Sequence, residues 1–506
     1  EGCIGSFSGH ESPLSAPFLE IESGHFDLRK GEIIPFLERN FPLNNPEAVL
    51  FTLSQNMQGS QSFVLEMLAS TFLKAFAYSG IVFFICNFVC LVAKKKRVKI
   101  RRNLVELSVM LVLSVICVKQ FFFSIPFVQY INAYTRALCN PMSSSLYENF
   151  YVDPESVAVV FPEKKKNLIW IFMESMETNF GDSLNGGSLA ENRIPYITKM
   201  MQENDSFFPG GTSVAGTNWT IAGIVSQTCG VPINFPVGIS ANVVGVRNYL
   251  PGAKCLTDYL KENSYNMVFD IGSSAGFMSK NHFFASHGLD SIHDYLYFER
   301  ENLFSKDDFK FWGIPDNKLY ELAKMDLQKL SVEDNPFAMI LLTVDTHTPY
   351  GYIDSSCSSY DENIPEEHQY PLVISCADEM LKHFIEWSRR QSWYENTLIV
   401  VTGDHPTMAA GDVVGYLGKK EKRTINFILN SEIHSMKNER IFSSFDMYPT
   451  IMEALGAKIE NHKLSFGVSL FSQDSTLLEK IKRASLDSLL LQRSLQYEKI
   501  MYGNRI

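Results

Sequence analysis

Several things this sequence lacks narrow its reading before any motif is considered. None of its nine cysteines are spaced as CxxC or as a zinc finger, which excludes the small zinc modules. Positive charge is in deficit: 45 Lys and Arg against 56 Asp and Glu leave a net charge of −11. A nucleic-acid binder with a broad basic face is therefore excluded. No internal repeat is visible. Apolar and aromatic residues, by contrast, are not scarce at 45% and 13%, so the chain is not intrinsically disordered. Its 506 residues exceed any single small binding module. Position 1 is Glu1 rather than Met, as expected of a processed, truncated or fragmentary chain.

A mean hydropathy of −0.04 hides a very uneven distribution. Residues 75–93, AFAYSGIVFFICNFVCLVA, carry no charge and are long enough to cross a hydrocarbon core of about 30 Å. KKKRVKIRR follows at 94–102, with seven basic residues and no acid. A second apolar stretch runs from Leu104 to about Ile125, its two charges, Glu106 and Lys119, near its ends. These features predict a transmembrane hairpin over 67–125 with a cytoplasmic basic loop. Residues 1–66, a linker over 126–163 and everything beyond then face the extracytoplasmic side. An exported stretch ahead of the hairpin also leads us to expect at least one further span upstream of Glu1.

The cysteines suit that topology. Cys86, Cys90 and Cys117 fall in the spans, whereas Cys3, Cys139, Cys229, Cys255, Cys357 and Cys376 would meet an oxidising space. Cys229 with Cys255, and Cys357 with Cys376, are the candidate disulfides, each closing a moderate loop.

From about residue 164 to 474 short apolar runs alternate with amphipathic ones. NLIWIFM (167–173), YNMVFDI (265–271), FAMILLTV (337–344), NTLIVVTG (396–403) and INFILN (425–430) read as buried strands. ADEMLKHFIEWSRR (377–390) and FDMYPTIMEALG (445–456) read as helices between or after them. The alternation predicts an α/β domain whose mainly parallel sheet is covered by helices on both faces. Residues 475–506 read as a helical tail with no legible chemistry.

Ligands in such sheets bind beyond the carboxyl ends of the strands. Those ends carry Glu174, then Asp345 and His347, then Asp404 and His405. Any one alone is an ordinary turn or cap residue. Together, carboxylates and imidazole from separate strands suit a divalent cation. SVAGTNWTIAGIVSQ (213–227) reads as a glycine-rich turn entering a helix, where a hydroxyl meets unpaired N–H groups that favour phosphate. Thr217 and Thr220 both fit there, and both equally fit plain N-caps.

IFMESME, GTNWTIAG, TVDTHTPY, TGDH and FDMYPTIMEALG, in this order and spacing, resemble the alkaline phosphatase superfamily over roughly residues 160–470. Within it the chain resembles the membrane-anchored phosphoglycerol transferases, which include the lipoteichoic acid synthases and the enzymes that modify osmoregulated periplasmic glucans. GTNWTIAG followed by Cys229-Gly, and LPGAKC at 250–255, favour the glucan-modifying group. The resemblance implies an alkaline phosphatase/sulfatase-like fold preceded by transmembrane helices. It implies that Glu174, Thr220, Asp404 and His405 hold one divalent ion, with Thr220 as nucleophile; one histidine among three oxygen ligands favours Mn²⁺ or Mg²⁺ over Zn²⁺ and leaves zinc open. Lys280 falls where relatives place a basic residue on the donor phosphate, and His347 where they place a substrate-contacting histidine, able either to hydrogen-bond the phosphate or to shuttle a proton in catalysis. Phosphatidylglycerol is then the donor, a glucan the acceptor, and the setting a bacterial inner membrane with the catalytic domain in the periplasm. The Cys-x-Pro-x-Arg nucleophile motif of sulfatases is missing, which argues against sulfate-ester hydrolysis. Phosphoethanolamine transferases usually add a histidine about a dozen residues after the Asp-His pair, whereas here the next is His434. Phosphoethanolamine transfer and lipoteichoic-acid-type polymerisation remain the enzymatic alternatives.

Overall fold

The computed structural model describes residues 144–503, except 204–209, 235–247, 290, 349, 410, 417–419 and 435–439. The expected segment 1–66 and hairpin 67–125 lie outside the described residues. Among the described residues no helix is long and apolar enough to cross a membrane.

Six strands build the central sheet: β1 (Asn167–Met173), β2 (Asn266–Ile271), β3 (Ser291–His293), β4 (Phe337–Leu342), β5 (Thr397–Gly403) and β6 (Asn426–Leu429). Their order is β3-β2-β4-β1-β5-β6. The first five run parallel, and β6 alone is antiparallel, to β5. All five apolar runs read from the sequence are strands. The sense of β6 was not readable, because an apolar run encodes burial rather than direction.

Period-two alternation sends successive side chains of one strand to opposite faces. In β1, Leu168, Trp170 and Phe172 enter one core, and Ile169, Ile171 and Met173 enter the other. Both faces of the sheet are therefore dry, as continuous apolarity requires. On the first face lie α1 (Ser145–Phe150) and α2 (Thr220–Cys229); on the second lie α3 (Asp316–Leu330) and α4 (Tyr370–Ser388). Helix α2 stops at Gly230, whose φ of 68° gives the left-handed turn that ends it.

The expected linker and tail are partly absorbed into this domain. Leu146 and Tyr147 of α1 are buried, and Val159–Val160 pairs antiparallel with Lys458–Ile459. The tail forms α5 (Arg483–Leu490) and α6 (Leu495–Tyr502), which bury Leu486, Leu490 and Ile500 in the first core. Asp487 accepts a hydrogen bond from the Ala215 N–H, and the Tyr497 hydroxyl accepts one from the Asn234 N–H, so the tail braces the turns on either side of α2.

Cys229 and Cys255 form a disulfide, as do Cys357 and Cys376, with separations of 26 and 19 residues. The first anchors the end of α2. Replacing both Cys229 and Cys255 by alanine is expected to cost roughly 2–4 kcal/mol of stability. Thermal melting under non-reducing conditions checks this, and an unchanged midpoint would contradict it.

Candidate active site

The register of β1 against β5 pairs Met173 with Gly403. The next residues, Glu174 and Asp404, therefore leave the sheet side by side, with His405 one step further on. Glu174 and His405 are 3% and 0% exposed. Ser175 adopts a left-handed φ of 57° directly after the strand. That turn points its N–H at Asp404 Oδ1, 2.8 Å away, while its hydroxyl donates to Glu174 Oε1 at 2.8 Å.

Helix α2 delivers the hydroxyl. Thr220 is its first residue, and the Oγ1 atom lies 3.3 Å from Glu174 Oε2 and 3.5 Å from His405 Nε2. Thr217, the other threonine of the motif, is fully buried and bonds only to Val214 backbone atoms, closing the turn before the helix. The helix can approach this closely because residue 223 is glycine. A Cβ there would stand 2.0 Å from the Asp404 carbonyl oxygen. Gln227, one turn on, donates its Nε2 hydrogens to Gly403 O and Asp404 O and ties the helix to the strand end.

The donor set fits a divalent cation. His405 donates its Nδ1 hydrogen to Pro406 O at 2.8 Å, which turns Nε2 toward the carboxylates, 3.4 Å from Glu174 Oε1 and 3.5 Å from Asp404 Oδ2. Asp404 Oδ2 is buried without a hydrogen-bond partner among the described residues. Ligands around an ion at about 2.1 Å stand about 3.0 Å apart in an octahedral site and about 3.4 Å apart in a tetrahedral one, close to the spacing seen here. The electrostatics agree. Burial opposes charge on Glu174, but the adjacent His405 outweighs it and holds the carboxyl well below the usual range. Burial and the Glu174 charge push Asp404 up. Burial also opposes charge on His405, yet Asp404 and Glu174 push it up to about 9. Two carboxylates holding a proton on a buried imidazole mark a site short of positive charge.

His347 and Lys280 stand around this cluster. His347 follows β4 and donates its Nδ1 hydrogen to Thr348 O at 2.7 Å; its ring lies 4.6 Å from that of Trp312. Burial lowers its pKa and so disfavours the charged ring. Lys280 is 3% exposed, and its ammonium donates to Phe277 O at 2.8 Å. Burial pushes it down to about 8, partly offset by the negative charges of Glu174 and Asp404.

Asp345, which also ends a strand, does not join the cluster. It and Asp316 clasp each other's backbone: Asp316 N donates to Asp345 Oδ2, and Val344 N and Asp345 N donate to Asp316. Ser175 and Gln227 escaped the sequence reading, because neither a left-handed φ nor a contact across 176 positions has a local signature. Gly223 did leave a trace, as a lone glycine inside a helical pattern.

A sulfatase family model matches residues 166–457. The phosphoglycerol transferase I of Xanthomonas campestris pv. campestris (strain B100) is 29% identical over 373 residues, covering 70% of this chain and 51% of that protein. The phosphoglycerol transferase I of Escherichia fergusonii is 29% identical over 314 residues, covering 61% of this chain and 39% of that protein. The chain thus spans about half, or less, of the length of these curated relatives. A crystal structure of an alkaline phosphatase superfamily protein from Vibrio parahaemolyticus is 22% identical, with a TM-score of 0.49, covering 68% of this chain and 78% of that one.

Proposed function

Because this chain belongs to the sulfatase family, with the family's α/β fold around a buried Glu/Asp/His site, we propose that it is a membrane-anchored phosphoglycerol transferase. The observation that carries this reading is the Thr220 hydroxyl, held at a helix N-terminus against Glu174 and His405. The curated relatives named phosphoglycerol transferase I support the choice of group. The donor we propose is phosphatidylglycerol and the acceptor a periplasmic glucan, at the outer face of a bacterial inner membrane.

Glu174, Asp404, His405 and Thr220 would hold one divalent ion, Mn²⁺ or Mg²⁺, which would lower the pKa of the threonine hydroxyl and neutralise charge on a phosphoryl oxygen. Thr220 Oγ1 attacks the donor phosphorus. The Oγ1–P bond forms, the P–O bond to diacylglycerol breaks, and the diacylglycerol oxygen takes up a proton. A sugar hydroxyl then attacks the phosphoglyceryl-threonine. Its oxygen bonds to phosphorus, its proton is released, and Thr220 regains its hydrogen. The exchange conserves phosphodiester bonds and needs no nucleotide. The N–H groups of the first turn of α2 and the Lys280 ammonium face the charge on the migrating group. His347, with Nδ1 tied to Thr348 O, keeps Nε2 to carry the proton.

Head-group-labelled phosphatidylglycerol, incubated with membranes holding the full chain and with glucan, tests the reading. Labelled glucan and free diacylglycerol are expected. Transfer from phosphatidylethanolamine instead, or growth of a glycerophosphate polymer without glucan, would replace it.

Lys280 supplies a second check. Its charge attracts the donor phosphate and is lost as pH rises through about 8, so KM for the donor climbs on the basic side. Lys280→Arg, which stays protonated, should move that limb to higher pH, whereas Lys280→Met should raise KM at every pH. A basic limb unaltered in Lys280→Arg would remove Lys280 from donor binding.

A further inference from the structure

A second group of metal-ligating side chains lies in the same sheet and shares no residue with the catalytic cluster. Asp270 of β2 and His293 of β3 are direct cross-strand partners, and Asp326 reaches them from α3. His293 Nδ1 stands 2.7 Å from Asp326 Oδ2 and 3.3 Å from Asp270 Oδ1. The three potential ligand atoms all lie within 4.8 Å of one another. Lys329 takes the other oxygen of Asp326 at 2.7 Å, so Oδ2 is the one turned to the imidazole. The His293 ring is fixed by stacking on Tyr297, with centroids 3.8 Å apart.

Asp270 is the residue that this arrangement leaves unexplained. It is 0% exposed, and among the described residues neither carboxylate oxygen has a hydrogen-bond partner. A proton on His293 Nδ1 serves one acceptor well, and the 2.7 Å contact assigns it to Asp326. Asp270 keeps only the 3.3 Å approach, and a buried carboxylate without a hydrogen bond is costly. One cation among Nδ1 and two carboxylate oxygens would satisfy all three groups at once.

We propose that Asp270, His293 and Asp326 form a second divalent-cation site, with one imidazole nitrogen and two carboxylate oxygens, that takes zinc-class ions. It would clamp the short edge strand β3 and helix α3 onto β2. The ion would take the His293 Nδ1 lone pair, with the ring hydrogen on Nε2.

The test is a calorimetric titration of the full chain in detergent micelles, stripped with chelator and titrated with ZnCl₂ at pH 8. The wild type should take up two equivalents. Glu174→Gln should lose one and keep the other, and its melting temperature should still rise with zinc. Asp326→Asn should weaken the second site by at least about tenfold while leaving the first intact. Asp270→Asn should do the same, and Asp326→Asn, which alters a less buried carboxylate, stands in for it if that variant does not fold. Glu174→Gln combined with Asp326→Asn should show neither uptake nor a zinc-dependent melting shift. A single equivalent in the wild type, abolished by Glu174→Gln, would overturn the proposal. So would two equivalents retained by Asp326→Asn at unchanged affinity.

Discussion

Thr220→Ala is expected to lower phosphoglycerol transfer by roughly 10³- to 10⁶-fold, the range for removing a nucleophile from an otherwise intact site. Stability should hardly change. The Thr220 hydroxyl sits 3.3 Å from Glu174 Oε2 and 3.5 Å from His405 Nε2, both long contacts. Losing them should cost no more than about 1 kcal/mol. Thr220→Ser keeps the attacking oxygen and should retain measurable transfer. Trapping adds a second readout: wild type given labelled donor without acceptor should carry label on the protein, and Thr220→Ala should carry none. A Thr220→Ala enzyme with wild-type turnover would end the nucleophile assignment, and with it the separation of Thr220 from the buried Thr217.

Gly223→Ala should damage both activity and stability. The added Cβ would stand 2.0 Å from the Asp404 carbonyl oxygen and 2.8 Å from its carbon, and both are backbone atoms that cannot rotate away. Relief requires α2 to move outward by about 1 Å, a displacement that costs about 100-fold in rate when it separates reacting groups. Overpacking of this kind also costs about 3 kcal/mol in stability. The same shift would strain the Gln227 bonds to Gly403 O and Asp404 O. Calorimetric melting and steady-state transfer measured on one preparation separate the two variants. Thr220→Ala should lose rate alone, and Gly223→Ala both. A Gly223→Ala protein with the melting point and kcat of the wild type would show that the close approach of α2 is not needed.

The fold was legible largely because burial on both faces leaves an unmistakable trace. A strand such as NLIWIFM must be apolar at every position when Trp170 faces one core and Ile171 the other. Strand sense left no such trace, so the antiparallel β6 emerged only from the structure. Polar stretches misled in the opposite direction. The segment around Tyr147 reads as a linker because its neighbours are Ser, Asn and Glu, yet Tyr147 packs 4.8 Å from Phe466, over 300 residues away in sequence.

The site divides in the same way. Sequence by itself determined which groups end the strands: Glu174, Asp345, Asp404 and His405 all follow apolar runs, and that placement is local. It also determined that a threonine would open the helix after a glycine-rich turn. Only the tertiary structure decided which of these groups meet. Strand register set Glu174 beside Asp404, Gly223 let Thr220 approach Glu174 and His405, and Asp345 was turned away toward Asp316. The Asp270, His293 and Asp326 cluster, drawn from two strands and a helix, had no sequence signature at all. The physical reason is common to all of them. Residue type and burial are written in short runs, whereas convergence depends on pairing and packing across tens to hundreds of positions.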